Sequence, residues 1–355
     1  MAEAITGTTL GVDLGDKQSE LCMLDTSGAV VRRAKVATKP AALEAEFGRL
    51  KATRVVIEVG THSGWVVEVL RKAGHEVIVA NPRQVKLISE GRRKTDRHDA
   101  ELLARLGRSD VSLLSPVTPR ALGDREALAL IRSRDQLVKL RTSLVNHVRG
   151  AMKAFGFRLP SKIDAAAMHR HRGEIPVSLQ PALWPLFDQL QALAQSIAAL
   201  DESIEAEAAK RPDVALLTPI RGVGTLTALA FVLVVGDASR FRRSRTVGAY
   251  LGLCSGKRQS GDKDPELSIS KCGDPLLRRL LVNCANYILG PFGGESDLRT
   301  WGLKLAAQGE SKRARARAKV AVARKLAVLM HSILKNGTAY EPVGFGKKKE
   351  LSAAV

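Results

Sequence analysis

The chain has 355 residues, 45% of them hydrophobic and 4% aromatic, enough to bury the cores of two or three domains. Lys and Arg number 56 against 36 Asp and Glu, a formal net charge of +20, so a polyanionic partner is expected, nucleic acid foremost. No run of about 18 apolar residues spans a membrane, MAEAITGTTL lacks the pattern of a signal peptide, and Cys22, Cys254, Cys272 and Cys284 form no C-x-x-C pair. These features exclude a membrane-spanning protein, a disulfide scaffold and a zinc site, and predict a cytoplasmic, nucleoid-associated protein with reduced thiols.

Residues 6 to 38 predict three strands, TTLGVDLG, ELCMLD and AVVRRAKVA, separated by the polar breaks GDKQS and TSG. A helix follows in AALEAEFGRLK, then strand RVVIEV, helix GWVVEVLRKAG, strand EVIVAN, and a helical stretch from Pro82 through Leu106. Three consecutive strands, then strands alternating with helices, is the order of a ribonuclease-H-like α/β domain, here residues 1–115. That fold carries acids at the end of its first strand, at the end of its fourth and on a later helix. Asp13, Glu58 and the pair Asp96 and Asp99 occupy those places.

Asp96 and Asp99 stand at i, i+3 and share a helix face. Such a pair alone reads as two solvated side chains; it is the register of all four acids that points to metal ligands. Carboxylate oxygens are hard donors suited to Mg²⁺ or Mn²⁺, and two-metal sites stabilise the attacking and leaving oxygens of phosphoryl transfer. Glu68 and Glu101 are the alternatives to Glu58. His98 faces another side of the helix in an exposed polar role, and Asp16 reads as a turn residue.

SLLSPVTP (112–119) carries two prolines and predicts a linker. Residues 116–210 read as a helical coiled-coil region. Leu137, Leu140, Leu144 and Val148 mark one stripe, and Leu183, Leu186, Leu190, Leu193, Ile197, Leu200 and Ile204 alternate spacings of three and four. An antiparallel hairpin, a dimerising coiled coil and two core helices of one domain all fit.

A mainly helical region follows over 211–340. LLTPIRGVGTLTALAFVLVVG predicts helix, turn and helix, a helix-hairpin-helix-like segment. Gly222 and Gly224 form its turn, and the second helix's amides are free to meet a phosphate. Basic residues are dense beyond it: Arg240, Arg242, Arg243, Arg245, Lys257, Arg258, Lys263, Lys271, Arg278 and Arg279. Ser260 sits among them in QSGDK. As a nucleophile it needs the phosphate charge neutralised, which the flanking cations supply; a turn serine before glycine is the plainer reading. The helix KRARARAKVAVARKLAVLMHSIL is basic in its first turns and apolar later, so that it covers a core while its start touches phosphate. Residues 341–355 read as a basic flexible tail.

GVDLG, VVIEVG and ANPRQVKLISEGRRKTDRHDAELLARL together closely resemble the N-terminal domain of the insertion-sequence-110 family of transposases. PIRGVGTLTALAFVLVVGDASRFRRSRTVGAYLGL, QSGDK and ISKCGDPLLRRLLV resemble that family's C-terminal domain. The resemblance implies a DNA recombinase with a RuvC-like DEDD domain, the set falling on Asp13, Glu58, Asp96 and Asp99, and a transposase domain (211–340) with its serine nucleophile at Ser260. It implies double-stranded target and donor DNA as substrates and a bridge RNA as guide. Dimers would assemble into tetramers, with each active site built from two subunits. Many relatives have a proline after GL and a Ser-Ser or Ser-Thr before the glycines; here the run is GLCSGKRQSGDK, which leaves Ser255 as the alternative nucleophile. A metal-dependent junction endonuclease and a non-catalytic nucleic-acid-binding protein are the other functions that fit.

Overall fold

The computed structural model describes residues 7–82, 85, 95–159, 173, 175–256, 258–259, 265, 267–309 and 311–344. The chain divides into two compact units, Met1–Leu122 and Gly123–Val355.

The first unit holds one five-stranded sheet: β1 (Thr9–Leu14), β2 (Gln18–Leu24), β3 (Val30–Ala37), β4 (Arg54–Glu58) and β5 (Glu76–Ala80), in the order β3-β2-β1-β4-β5. β1, β2 and β3 pair antiparallel, as their short polar connections require; β4 pairs parallel to β1, and β5 to β4. The expected α/β element order is present among the described residues, with β2 starting two residues early, at Gln18; of the helical stretch expected from Pro82 through Leu106, residues 83–84 and 86–94 lie outside them. Alternation along the strands sorts side chains to two faces. Leu10, Val12, Val55 and Ile57 pack with Leu43 and Phe47 of α1 (Pro40–Phe47) and with Val66, Val67 and Leu70 of α2 (Ser63–Lys72). Cys22 and Leu24, with Val56 and Ile78, meet Ala100, Leu103 and Ala104 of α3 (Asp96–Ser109) on the other face. Covered on both sides, the central strands read as continuous apolar runs.

The two edges differ. β3 is exposed along most of its length and carries Arg32, Arg33 and Lys35. β5 is followed along its outer side by the chain leaving α3. Leu114 is fully buried, Asn81 N donates to Leu114 O at 2.9 Å, and Val117 N donates to Val79 O at 2.8 Å. The proline-bearing stretch expected as a linker is thus held to the sheet from Leu114 to Val117.

The second unit is helical. α4 (Leu122–Ala154) and α5 (Gln180–Ala209) run antiparallel. Arg211, just past α5, bonds Asp124 at 2.7 Å; Arg134 clasps Asp201 with two nitrogens; and Val148 and Met152 cluster with Leu183 and Phe187. Of the heptad positions, Leu183, Leu190, Ile197 and Ile204 are buried, while Leu186, Leu193 and Leu200 are half-buried. Of the first stripe, Val148 and Leu144 pack with Leu183 and Leu190 of the second as a hairpin within one chain, while Leu140 is exposed.

Next come α6 (Pro212–Leu217), α7 (Thr225–Val235), α8 (Val247–Tyr250), α9 (Pro275–Leu289), α10 (Asp297–Ala307) and α11 (Lys312–Asn336). Every residue of α7 from Thr227 to Val235 is buried, which explains an apolar sequence without a polar face. α11 is the opposite. Ala318, Val322, Leu326 and Met330 face the core, and Arg313, Arg315, Arg317, Arg324 and Lys325 are exposed. His331 is fully buried and its Nε2 meets Ala238 O at 3.0 Å, with the Phe241 ring edge-on at 5.2 Å. Burial holds its pKa below the usual histidine range. Among the described residues no helix is long and apolar enough to cross a membrane.

Candidate active site

Asp13 is the fifth residue of β1 and Glu58 the last of β4, on adjacent parallel strands whose pairing runs through Val12↔Ile57. Asp13 lies two residues beyond Gly11 and Glu58 two beyond Val56, so both acids share the face that carries α3. Gly11 sets the distance between helix and strand: a Cβ there would stand 2.0 Å from Ala100 O and 2.5 Å from Ala104 N. Only glycine admits this approach.

The direction of α3 follows from its other end. Arg105 and Arg108 donate to Gly28 O and Thr26 O in the β2–β3 turn, and that turn lies beside the start of β1, where Thr9 pairs with Leu24. The helix thus runs antiparallel to β1, and its first turn, with Asp96 and Asp99, lies toward the strand ends that carry Asp13 and Glu58. Asp96 continues the Ala100–Ala104 stripe by one turn, Asp99 flanks it, and His98 is on the far side. Thr95 caps the helix, its hydroxyl accepting from His98 N at 3.3 Å.

The fold therefore gathers all four carboxylates at one end and one face of the sheet. Even so, no three His, Cys, Asp or Glu side chains among the described residues stand close enough together to hold a metal ion. Of the alternatives, Glu68 lies on α2, behind the opposite face of the sheet. Glu101 is committed to Arg33 and Arg105; the Arg33 hydrogen bond foremost, then that from Arg105, holds its carboxyl below the usual range. Sequence reasoning missed Glu20, which pairs directly opposite Asp13 on β2 and so joins the same face. Its charge is met by Lys35 at 3.0 Å. The antiparallel register set by the three-residue connection Gly15–Lys17 is the signal that would have found it. Asp16, expected as a turn residue, meets His62 Nε2 at 3.4 Å.

Ser260, Lys257 and Lys263 lie outside the described residues, as do residues 345–355 of the expected tail. The arms flanking Ser260 are described. Ser255 bridges Ile269 antiparallel, Gly256 N donates to Ser268 O at 3.0 Å, and Ser270 N donates to Cys254 O at 2.9 Å. The chain that carries Ser260 therefore leaves and returns at one paired base, with the Ser255 side chain exposed.

The expected cation set divides. Arg242, Arg243, Arg258 and Lys271 are exposed. Arg278 instead donates to Leu251 O at 3.1 Å and Cys272 O at 2.7 Å, tying the base of the loop to α9. Arg279 pairs with Asp135 on α4. Gly222 has φ +94°, and a Cβ there would press on Tyr287 and Ile288 of α9 at 3.0 and 3.2 Å, so packing alone accounts for it. Gly224 caps α7 and opens onto free space.

Residues 10–156 match a family model described as a transposase of the IS110 DEDD type, and residues 214–291 match one described as the transposase IS116/IS110/IS902 family. The transposase for insertion sequence element IS1111A of Coxiella burnetii is 30% identical over 93% of this chain and 90% of its own length. A probable family 20 transposase of Pseudomonas aeruginosa is 30% identical over 94% of this chain and 98% of its own. Among solved structures, T. thermophilus RuvC in complex with a Holliday junction substrate is 17% identical over 31% of this chain and 99% of that one, with a TM-score of 0.24, too slight a likeness to carry weight.

Proposed function

This chain belongs to the IS116/IS110/IS902 family of transposases, and from that premise we propose that it moves a DNA segment by RNA-guided strand exchange, using a carboxylate metal site and a serine nucleophile. One observation carries the reading: in a protein of net charge +20, Asp13, Glu58, Asp96 and Asp99 occupy one end and one face of the sheet.

The donor chemistry of that set fits a hard divalent cation, Mg²⁺ or Mn²⁺. When bound, such ions stabilise charge on the attacking and leaving oxygens of a phosphoryl transfer. Ser260 does the covalent work. Its Oγ–phosphorus bond forms as one phosphorus–oxygen bond to deoxyribose breaks; the hydroxyl proton leaves the serine and the released deoxyribose oxygen takes one up. No oxidant or nucleotide is consumed, and the phosphoserine link keeps the DNA end for rejoining by the reverse step. Lys257, Arg258 and Lys263 neutralise the phosphate during attack. Target and donor duplexes are chosen by pairing with a bridge RNA, and dimers of the chain assemble as a tetramer around them.

The test is a denaturing gel of full-length protein incubated with labelled target DNA, the flanking noncoding RNA and Mg²⁺. A protein–DNA adduct that disappears in Ser260→Ala and persists in Ser255→Ala is expected. Strand cleavage with free 5′ phosphates and no adduct would instead mark a metal-dependent junction endonuclease and overturn the serine assignment.

A further inference from the structure

A groove of ≈ 960 Å³ opens in the second unit between α11, α10 and the paired arms around Ser255 and Ile269. Among the described residues that line it, five are cationic and none is acidic: Arg245, Arg313, Arg317, Arg324 and Lys325. All five residues are exposed. Arg313, Arg317 and Arg324 stand four and seven residues apart on α11 and so share one helix face, spread over about 16 Å at 1.5 Å per residue. Val320 and Val328 of the same face give the groove an apolar floor between these charges. At one side Lys325 lies over the Trp301 ring, 4.2 Å from its centroid, which fixes both side chains at the wall. The far wall includes Ser255, from the base where the Ser260-bearing chain departs.

We propose that this groove seats the sugar–phosphate backbone of a single DNA strand close to the serine segment. The inference rests on the strand-transfer reading for its choice of DNA. Charge complementarity selects a polyanion: three arginines in a row on α11, with Arg245 and Lys325 beside them and no carboxylate among the described lining residues, face a partner with one negative charge per nucleotide. The apolar floor suits the sugar and base edges between phosphates. Size selects one strand, since cavities of roughly 300–1,000 Å³ hold small-molecule-sized ligands, which corresponds to a few nucleotides and not a duplex. The sequence marks Arg245 and the basic start of this helix as phosphate contacts; the groove takes Arg313, Arg317 and Arg324 from the helix, while Arg315 faces elsewhere.

The experiment compares binding of a labelled single-stranded DNA oligonucleotide of arbitrary sequence to three full-length proteins. These are wild type, the groove variant Arg313→Gln/Arg317→Gln/Arg324→Gln, and a charge-matched control, Lys312→Gln/Arg315→Gln/Lys319→Gln, on the same helix outside the groove. Removing three phosphate contacts flattens the log–log salt dependence by about 2 and weakens binding roughly tenfold or more near 0.1 M salt; the control stays near wild type. A photo-crosslinking p-benzoylphenylalanine in place of Ala316, inside the groove, is expected to capture the strand with wild-type arginines in place. Equal losses in both triple variants, no loss in the groove variant, no crosslink, or a loss seen with the matching RNA oligonucleotide and not with DNA each overturn the proposal. Oligonucleotide binding reads the groove and the covalent adduct on the denaturing gel reads the serine, so a failed serine assignment and a failed groove register separately.

Discussion

The sheet unit and the helical unit place their candidate site residues by opposite means. In the first, position follows from the backbone: parallel pairing sets Asp13 beside Glu58, and the glycine at residue 11 brings α3 down on β1 so that its acidic turn lies at the same end. In the second, the groove is assembled from Arg245, Ser255, Trp301 and α11, which are far apart in sequence and meet only through packing. Sites of the first kind are local and tolerate little backbone change. Those of the second kind depend on the core beneath them and tolerate single substitutions at the surface.

The largest expected effect tests the first half of that contrast. Asp13→Asn keeps the strand and removes one charge from the carboxylate set; recombination in a two-plasmid assay should fall on the order of 10²-fold or more, as for other single charge-stabilising groups. Oligonucleotide binding should be unchanged, and recombination near wild type would remove Asp13 from the site. Next, Gly11→Val forces side-chain atoms into the α3 backbone, an overpacking that costs about 1–3 kcal/mol. Denaturant titration of the full chain should show the loss in the transition assigned to the sheet unit; an unshifted midpoint would mean that α3 is not held there.

His331 probes the helical unit. Its folded pKa is lowered by burial first, with Lys335 and Arg240 adding repulsion and the Ala238 carbonyl opposing. Stability is therefore fully present above the unfolded value of about 6.5 and declines as pH falls through and below it, because the unfolded chain binds the proton more readily. Thermal melts from pH 8 to 5 should show a decline that His331→Gln flattens; parallel curves for the two proteins would exclude this linkage. Smallest is Arg134→Ala, which removes a partly exposed ion pair to Asp201 and should cost about 0.2–1 kcal/mol. A larger loss would show that the α4–α5 hairpin depends on its polar clasps more than on Leu183, Phe187 and Leu190.

Legibility in the sequence follows the same division. Strands ending in acids are short-range patterns, so Asp13 and Glu58 stand out from their apolar runs, and Asp96 and Asp99 from their helix. Glu20 did not, because its neighbour across the sheet is fixed by register. The heptad stripe at Leu183–Ile204 was visible, but periodicity is silent on which partner fills it; that took the pairs Arg134–Asp201 and Arg211–Asp124. Arg278 looked like a phosphate ligand because charge density carries no information about carbonyl partners. The choice of Ser260 over Ser255 came from resemblance, since both are small hydroxyls beside glycine.

The sheet has two outer strands, and each is unavailable to a stranger for its own reason. Arg32, Arg33 and Lys35 charge the open side of β3, while the chain at Leu114–Val117 lies along β5 with its own backbone bonds. Exposed strand edges are where newly made chains stick to one another. This unit therefore carries its protection against aggregation in cations on one flank and in its own exit path on the other. Neutralising the three β3 cations together would break their ion pairs with Glu46, Glu101 and Glu20 as well as lower the concentration at which the protein stays in solution.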